Sequence, residues 1–168
     1  MIVCDLQREE NFQEFIRLRN DPDYYDMTFD EKSGGVSAIH KEHRFDKSVG
    51  PFRYPRGDYE RFVLKVLRDR GHSVILLSEQ QDFFKRKHCD ALFDGVYAEI
   101  KAVETNGRWV IRRKLSQAEK QGACIALLFF PQRTLFDEER VIAGYLRYIE
   151  DVDRFRGAIS KVGHVDKK

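Results

Sequence analysis

The chain has 168 residues, of which 42% are hydrophobic and 35% charged, with a formal net charge of +2. That length suits one domain, or one domain with an arm, and the apolar content is enough for a sizeable core. A near-zero charge neither requires nor excludes nucleic acid, and the scattered cysteines Cys4, Cys89 and Cys124 do not make a disulfide framework. The cysteine usage points to a reducing compartment, or to one where thiols are incidental. No apolar run reaches the roughly eighteen residues of a membrane helix. The start of the chain is polar by Gln7, so no secretory signal is expected, and a cytoplasmic place of action is.

Residues 1–22 predict a short helix, with Phe12, Phe15, Ile16 and Arg19 at helical spacing and Asp21-Pro22 as a stop. Residues 23–57 show no clear periodicity and are punctuated by Gly34-Gly35, Gly50-Pro51 and Pro55, so residues 1–57 read as a helix and an irregular arm. Such a segment is usually functional or wrapped on a core. His40 and His43 have a spacing that suits two zinc ligands on one helical face, but no cysteine pair or third histidine stands nearby. Solvated or substrate-touching histidines fit this sequence better. Tyr24, Tyr25, Phe45, Phe52 and Tyr54 suit either stacking on unpaired bases or core packing.

The core is expected over residues 58–168. Asp58 to Gly71 predicts a helix with Tyr59, Phe62, Val63, Val66 and Leu67 as its apolar stripe. Glu60 in its first turn is explained equally by the helix dipole and by a functional role. His72 to Glu79 predicts a strand buried on both faces. Lys85, Arg86, Lys87 and His88 form a basic run, either solvated surface or a phosphate contact.

Asp90 to Lys101 predicts two strands joined at Asp94-Gly95, because an Asp-Gly pair between apolar runs favours a type I′ turn. A two-residue turn sets Phe93 against Val96, Leu92 against Tyr97 and Asp90 against Glu99. Tyr97, Glu99 and Lys101 then share one face with Asp90. Two carboxylates facing each other across strands repel, and a divalent cation with a taste for oxygen, Mg²⁺ or Mn²⁺, would remove that penalty. Zn²⁺ is the remaining candidate. Lys101 is placed to polarise a water or a phosphate.

Trp109-Val110-Ile111 reads as a short strand, followed by a helix that carries Leu115, Ala118 and Gln121 and closes at Gly122. Ala123 to Phe130 predicts a buried strand lying parallel to a neighbour. Asp137 to Ile149 predicts a helix, and residues 155–165 an edge strand. The order helix, strand, hairpin, helix, strand, helix makes an α/β fold: a small mixed β-sheet flanked by helices.

At Asp90 and Glu99-Ile100-Lys101, with the helical Glu60 upstream, the chain resembles the PD-(D/E)xK nuclease superfamily over roughly residues 57–130. Cys89 stands where that family usually has proline. Residues 34–46 resemble a segment found before the nuclease core in bacterial polymorphic-toxin and phage-associated proteins. The resemblance implies a restriction-endonuclease-like core and metal-dependent hydrolysis of phosphodiester bonds in DNA or RNA, tRNA included. It implies that Asp90, Glu99 and the Ile100 carbonyl hold the cation and that Glu60 supports it. Lys101 then orients the attacking water or stabilises charge on the phosphate. Lys114, Gln117 and Gln121 on the following helix, with Lys87, His40 and His43, are the expected substrate contacts. Lys114, Gln117 and Gln121, each taken singly, are explained at least as well as exposed helix polars. A contact-dependent inhibition toxin of this kind implies a cognate immunity protein as partner. The rival reading is a non-catalytic nucleic-acid-binding or phage structural protein with a degenerate nuclease fold.

Overall fold

The computed structural model describes residues 2–78, 89–155 and 161–164. Among the described residues one mixed seven-stranded sheet runs in chain order. Helix α1 (Ile2–Arg19) precedes β1 (Tyr24–Phe29) and β2 (Val36–His40), which pair antiparallel. Helix α2 (Gly57–Arg68) leads to β3 (Ser73–Leu76), which lies parallel to β2. The meander β3, β4 (Ala91–Phe93) and β5 (Val96–Ala102) is antiparallel throughout. Helix α3 (Val110–Lys120) crosses to β6 (Ile125–Phe129), parallel to β5, and α4 (Glu138–Phe155) crosses to β7 (Lys161–His164), parallel to β6. Among the described residues no helix is long and apolar enough to cross a membrane.

Alternation along the strands sorts the core onto two faces. On one face Val63, Leu64 and Leu67 of α2 pack on Val74, Leu76, Ala91, Ala98, Ile100 and Leu127. On the other, Leu18 of α1 meets Val36, Ala38 and Ile75. Farther along that same face Val110, Ile111, Leu115 and Ala118 of α3 and Tyr148 of α4 cover Ala126 and Leu128. Ile75 stands between Val74 and Leu76, and Leu127 between Ala126 and Leu128, so α1, α3 and α4 lie opposite α2.

Two expectations are corrected here. Residues 24–40 are not irregular: they supply β1 and β2 to the same sheet as the core. Asp26 sits at φ 53 and the β1–β2 register shifts between Tyr25 and Thr28, so the bulge destroys the alternation a strand would show in sequence. Trp109-Val110-Ile111 is not a strand. Trp109 caps α3, and Val110 and Ile111 begin its buried face. The expected strand over 123–130 forms as β6, parallel to β5, and the expected edge strand forms as β7.

Candidate active site

The β4–β5 hairpin has the register that an Asp-Gly turn dictates. Phe93 faces Val96, Leu92 faces Tyr97 and Ala91 faces Ala98. Asp94 (φ 46) and Gly95 (φ 75) both adopt the left-handed conformation of the two central residues. This register carries Asp90, one residue before β4, to a place opposite Glu99. The Asp90 backbone N–H donates to Glu99 Oε2 (3.0 Å), and the Ile100 N–H donates to Asp90 Oδ2 (3.2 Å). The Asp90 carbonyl accepts from Leu77 N–H at the end of β3 (2.9 Å).

The two carboxylates therefore interlock through each other's strand. Glu99 is fully buried. Its carboxyl is pushed up to about 7, first by burial and then by the neighbouring Asp90 charge, against the opposing pull of Lys101. Lys101 forms the ion pair with Glu99 Oε1, and its side chain is 18% exposed. Among the described residues Lys101 is the one cation in an ion pair at this place, where a fully buried Glu99 faces a half-buried Asp90. Such an arrangement has an electrostatic deficit that a hard divalent cation fits.

Lys114 reaches the same face from α3. Burial lowers its basicity first, and the adjacent Lys101 charge lowers it further. Arg56 grips Glu104 through both of its oxygens, with Nη2 to Oε2 at 2.9 Å, and adds another cation near Lys114.

Glu60 is held differently. It rides on α2, across the sheet from the helix that carries Lys114, and its Oε2 meets His43 Nε2 at 3.0 Å. His43 is a fully buried side chain whose Nδ1 lies 2.9 Å from the Leu77 carbonyl. A carbonyl only accepts, so Nδ1 donates to Leu77, and the Nε2–Oε2 bond needs a second proton, carried by the ring or by Glu60. The ring of Phe45 packs edge-on against His43, and Arg61 lies over Phe45 at 3.8 Å. Glu60 is thereby fastened to the end of β3, and Leu77 is bonded in turn to Asp90.

The expected residues are thus gathered unevenly. Asp90, Glu99, Ile100 and Lys101 form one bonded group, Lys114 borders it, and Glu60 connects to it through His43 and Leu77. Among the described residues no three His, Cys, Asp or Glu side chains converge as a ready metal cluster. The donors in place at the hairpin are the two carboxylates, beside the backbone of Ile100. His40 stands apart from His43: its ring is edge-on to Tyr24 and its Nδ1 accepts from the Glu42 N–H (3.2 Å). Gln117 is exposed. Gln121 closes α3, and its carbonyl accepts the Cys89 thiol (3.2 Å). Burial, then Glu99 and Asp90, pushes that thiol up to about 11, so Cys89 fills the position before Asp90 as an inert apolar group. Lys87, Lys85, Arg86 and His88 lie outside the described residues. Of the aromatics, Tyr24 packs with the α1 core, while Tyr25 and Tyr54 are exposed.

The sequence did not disclose the His43–Glu60 pair. The partners are far apart in the chain, on different elements, and only the capped end of β3 brings them together. Comparison of the chain with protein-family models, with curated proteins and with solved structures gives no match.

Proposed function

We propose that the chain is a metal-dependent nuclease that hydrolyses phosphodiester bonds of DNA or RNA. The observation that carries this reading is the buried Glu99 carboxylate set against Asp90, with Lys101 beside it. An ordinary cross-strand ladder alternates opposite charges and does not seat two carboxylates against each other around one lysine. The element order α2, β3, β4, β5, α3, β6 also supports a restriction-endonuclease-like core.

In this reading Asp90 and Glu99 hold a Mg²⁺ or Mn²⁺ ion through carboxylate oxygens, together with the Ile100 carbonyl. The ion, when bound, supplies Lewis-acid polarisation of the phosphate and a more acidic water. Lys101, paired with Glu99, offsets negative charge growing on the phosphate. Lys114, half-buried on the neighbouring helix, adds a second cation for the same phosphate. His43 orients Glu60 toward the end of β3, from which Glu60 supports the ion through water. DNA, RNA and tRNA share the scissile group, so the choice among them belongs to surfaces outside these residues.

Among the described residues no third carboxylate joins the pair at the hairpin, which favours one other reading: a satisfied ion-pair network in a non-catalytic nucleic-acid-binding protein. Incubating the protein with plasmid DNA and with total tRNA, in Mg²⁺, Mn²⁺, Zn²⁺ or EDTA, separates the two. Metal-dependent cutting that disappears in Asp90→Ala and Lys101→Ala supports the nuclease. No cutting in any metal, with both variants folded, supports the network.

A further inference from the structure

Trp109 is the sole tryptophan of the chain and is 53% exposed. Its neighbours Val110 and Ile111 turn into the core, whereas the indole stays outside at the join of α3 and α4. Three guanidinium groups crowd it: Arg108 at 5.1 Å, Arg147 at 5.3 Å and Arg112 at 5.8 Å from the ring centroid. Each cation–π contact is modest at an exposed site, and the three like charges repel one another. Arg112 is matched by Asp151. Arg108 and Arg147 have no carboxylate partner among the described residues; Arg147 Nη1 instead donates to the Arg108 carbonyl (3.3 Å). The cluster lines an open cleft of about 570 Å³, with Glu150 and Asp151 completing its wall.

An exposed aromatic ring between unmatched arginines has a definite chemical complement. The π-face takes a nucleobase, and the guanidiniums take the phosphates on either side of it. A duplex hides its base faces, so the complement is an unpaired nucleotide. The cleft and the hairpin are joined by α3, which begins beside Trp109 and carries Lys114 to the face of Lys101.

We propose that Trp109, with Arg108 and Arg147, is a stacking site for an unpaired base of a single-stranded nucleic acid. The choice of ligand rests on the nuclease reading. Binding and cleavage are separate measurements, so either can fail alone.

The test uses the whole chain in EDTA, titrated with single-stranded deoxy- and ribo-oligonucleotides and with a blunt duplex, while Trp109 emission is followed. Saturable quenching by single strands, and far less by duplex, is expected; the stronger of the two sugars names the natural strand. Trp109→Ala weakens binding of a fluorescein-labelled strand roughly tenfold, with an unchanged circular dichroism spectrum. Trp109→Phe keeps part of the affinity. Arg108→Ala flattens the salt dependence by about 0.7 in log–log slope. Unaltered emission with every single strand, or equal binding by Trp109→Ala, overturns the site. Emission blue-shifted by self-association of the chain alone also overturns it. Stacking without cleavage in any metal leaves the site standing and removes the nuclease. Cleavage with no role for Trp109 does the reverse.

Discussion

The β4–β5 hairpin has two ends, and each carries acid. At the turn, Asp94 accepts the Ser73 N–H at 2.8 Å with one oxygen and meets His72 Nδ1 at 2.8 Å with the other. Every bond is matched, and the group is partly solvated. At the opposite end the fully buried Glu99 faces the half-buried Asp90, and among the described residues Lys101 is the cation paired with Glu99. A single carboxylate with two donors holds a turn together. Two carboxylates with too little positive charge cost stability unless something else arrives. The difference teaches that acidity alone does not mark a site; unmatched charge in a poorly solvated place does.

The comparison breaks first in activity. Asp90→Ala or Lys101→Ala is expected to reduce metal-dependent cleavage by roughly 10²- to 10³-fold, measured as initial rates on plasmid or tRNA. Asp94→Asn, at the other end, keeps the left-handed turn residue and leaves the rate unchanged. Equal losses at both ends would erase the distinction.

Stability gives the next largest effect. His43→Ala leaves Glu60 and the Leu77 carbonyl without their buried partner, at a cost of about 2 to 3 kcal/mol in urea unfolding. Loss of a well-packed buried ring adds to that, so a cost near zero would remove His43 as the link between α2 and β3.

A pH series sharpens the carboxylate end. Glu99 keeps its proton up to about 7 in the folded chain, against an ordinary value of 4.5. The folded state therefore binds more protons than the unfolded state across that window, and metal-free stability falls as pH rises through it. Glu99→Gln flattens the fall. Mg²⁺ raises the melting temperature at pH 8 and hardly at pH 5, as scanning calorimetry would record. A metal-free stability that instead rises from pH 5 to 7 and is unaltered by Glu99→Gln would contradict the buried confrontation. The smallest effect belongs to the turn: Asp94→Asn removes the charge facing His72 and costs less than about 1 kcal/mol, since that pair is partly exposed.

Much of the hairpin could be read from its letters because an Asp-Gly turn fixes register, and register fixes which side chains meet. Glu99 against Asp90 follows from that alone. Strands β1 and β2 were hidden for opposite reasons. The bulge around Asp26 scrambles the alternation of β1, and β2 is so completely enclosed that Ser37 lies as deep as Val36. The apolar triplet Trp109-Val110-Ile111 imitates a strand, yet Ile111, Leu115 and Ala118 continue a helical stripe into α3. The His43–Glu60 contact depends on the path of residues 41–56, and no local pattern encodes such a path.

Strand β3 lies between β2 and β4, with all four of its residues buried. Cutting the chain before residue 58 would therefore strip off a neighbour rather than an appendage. The unpaired flank of β3 would then present an apolar row of free amides and carbonyls, a template for joining other copies edge to edge. A shortened gene beginning at the helix of Glu60 should give insoluble protein even though every catalytic candidate is still encoded.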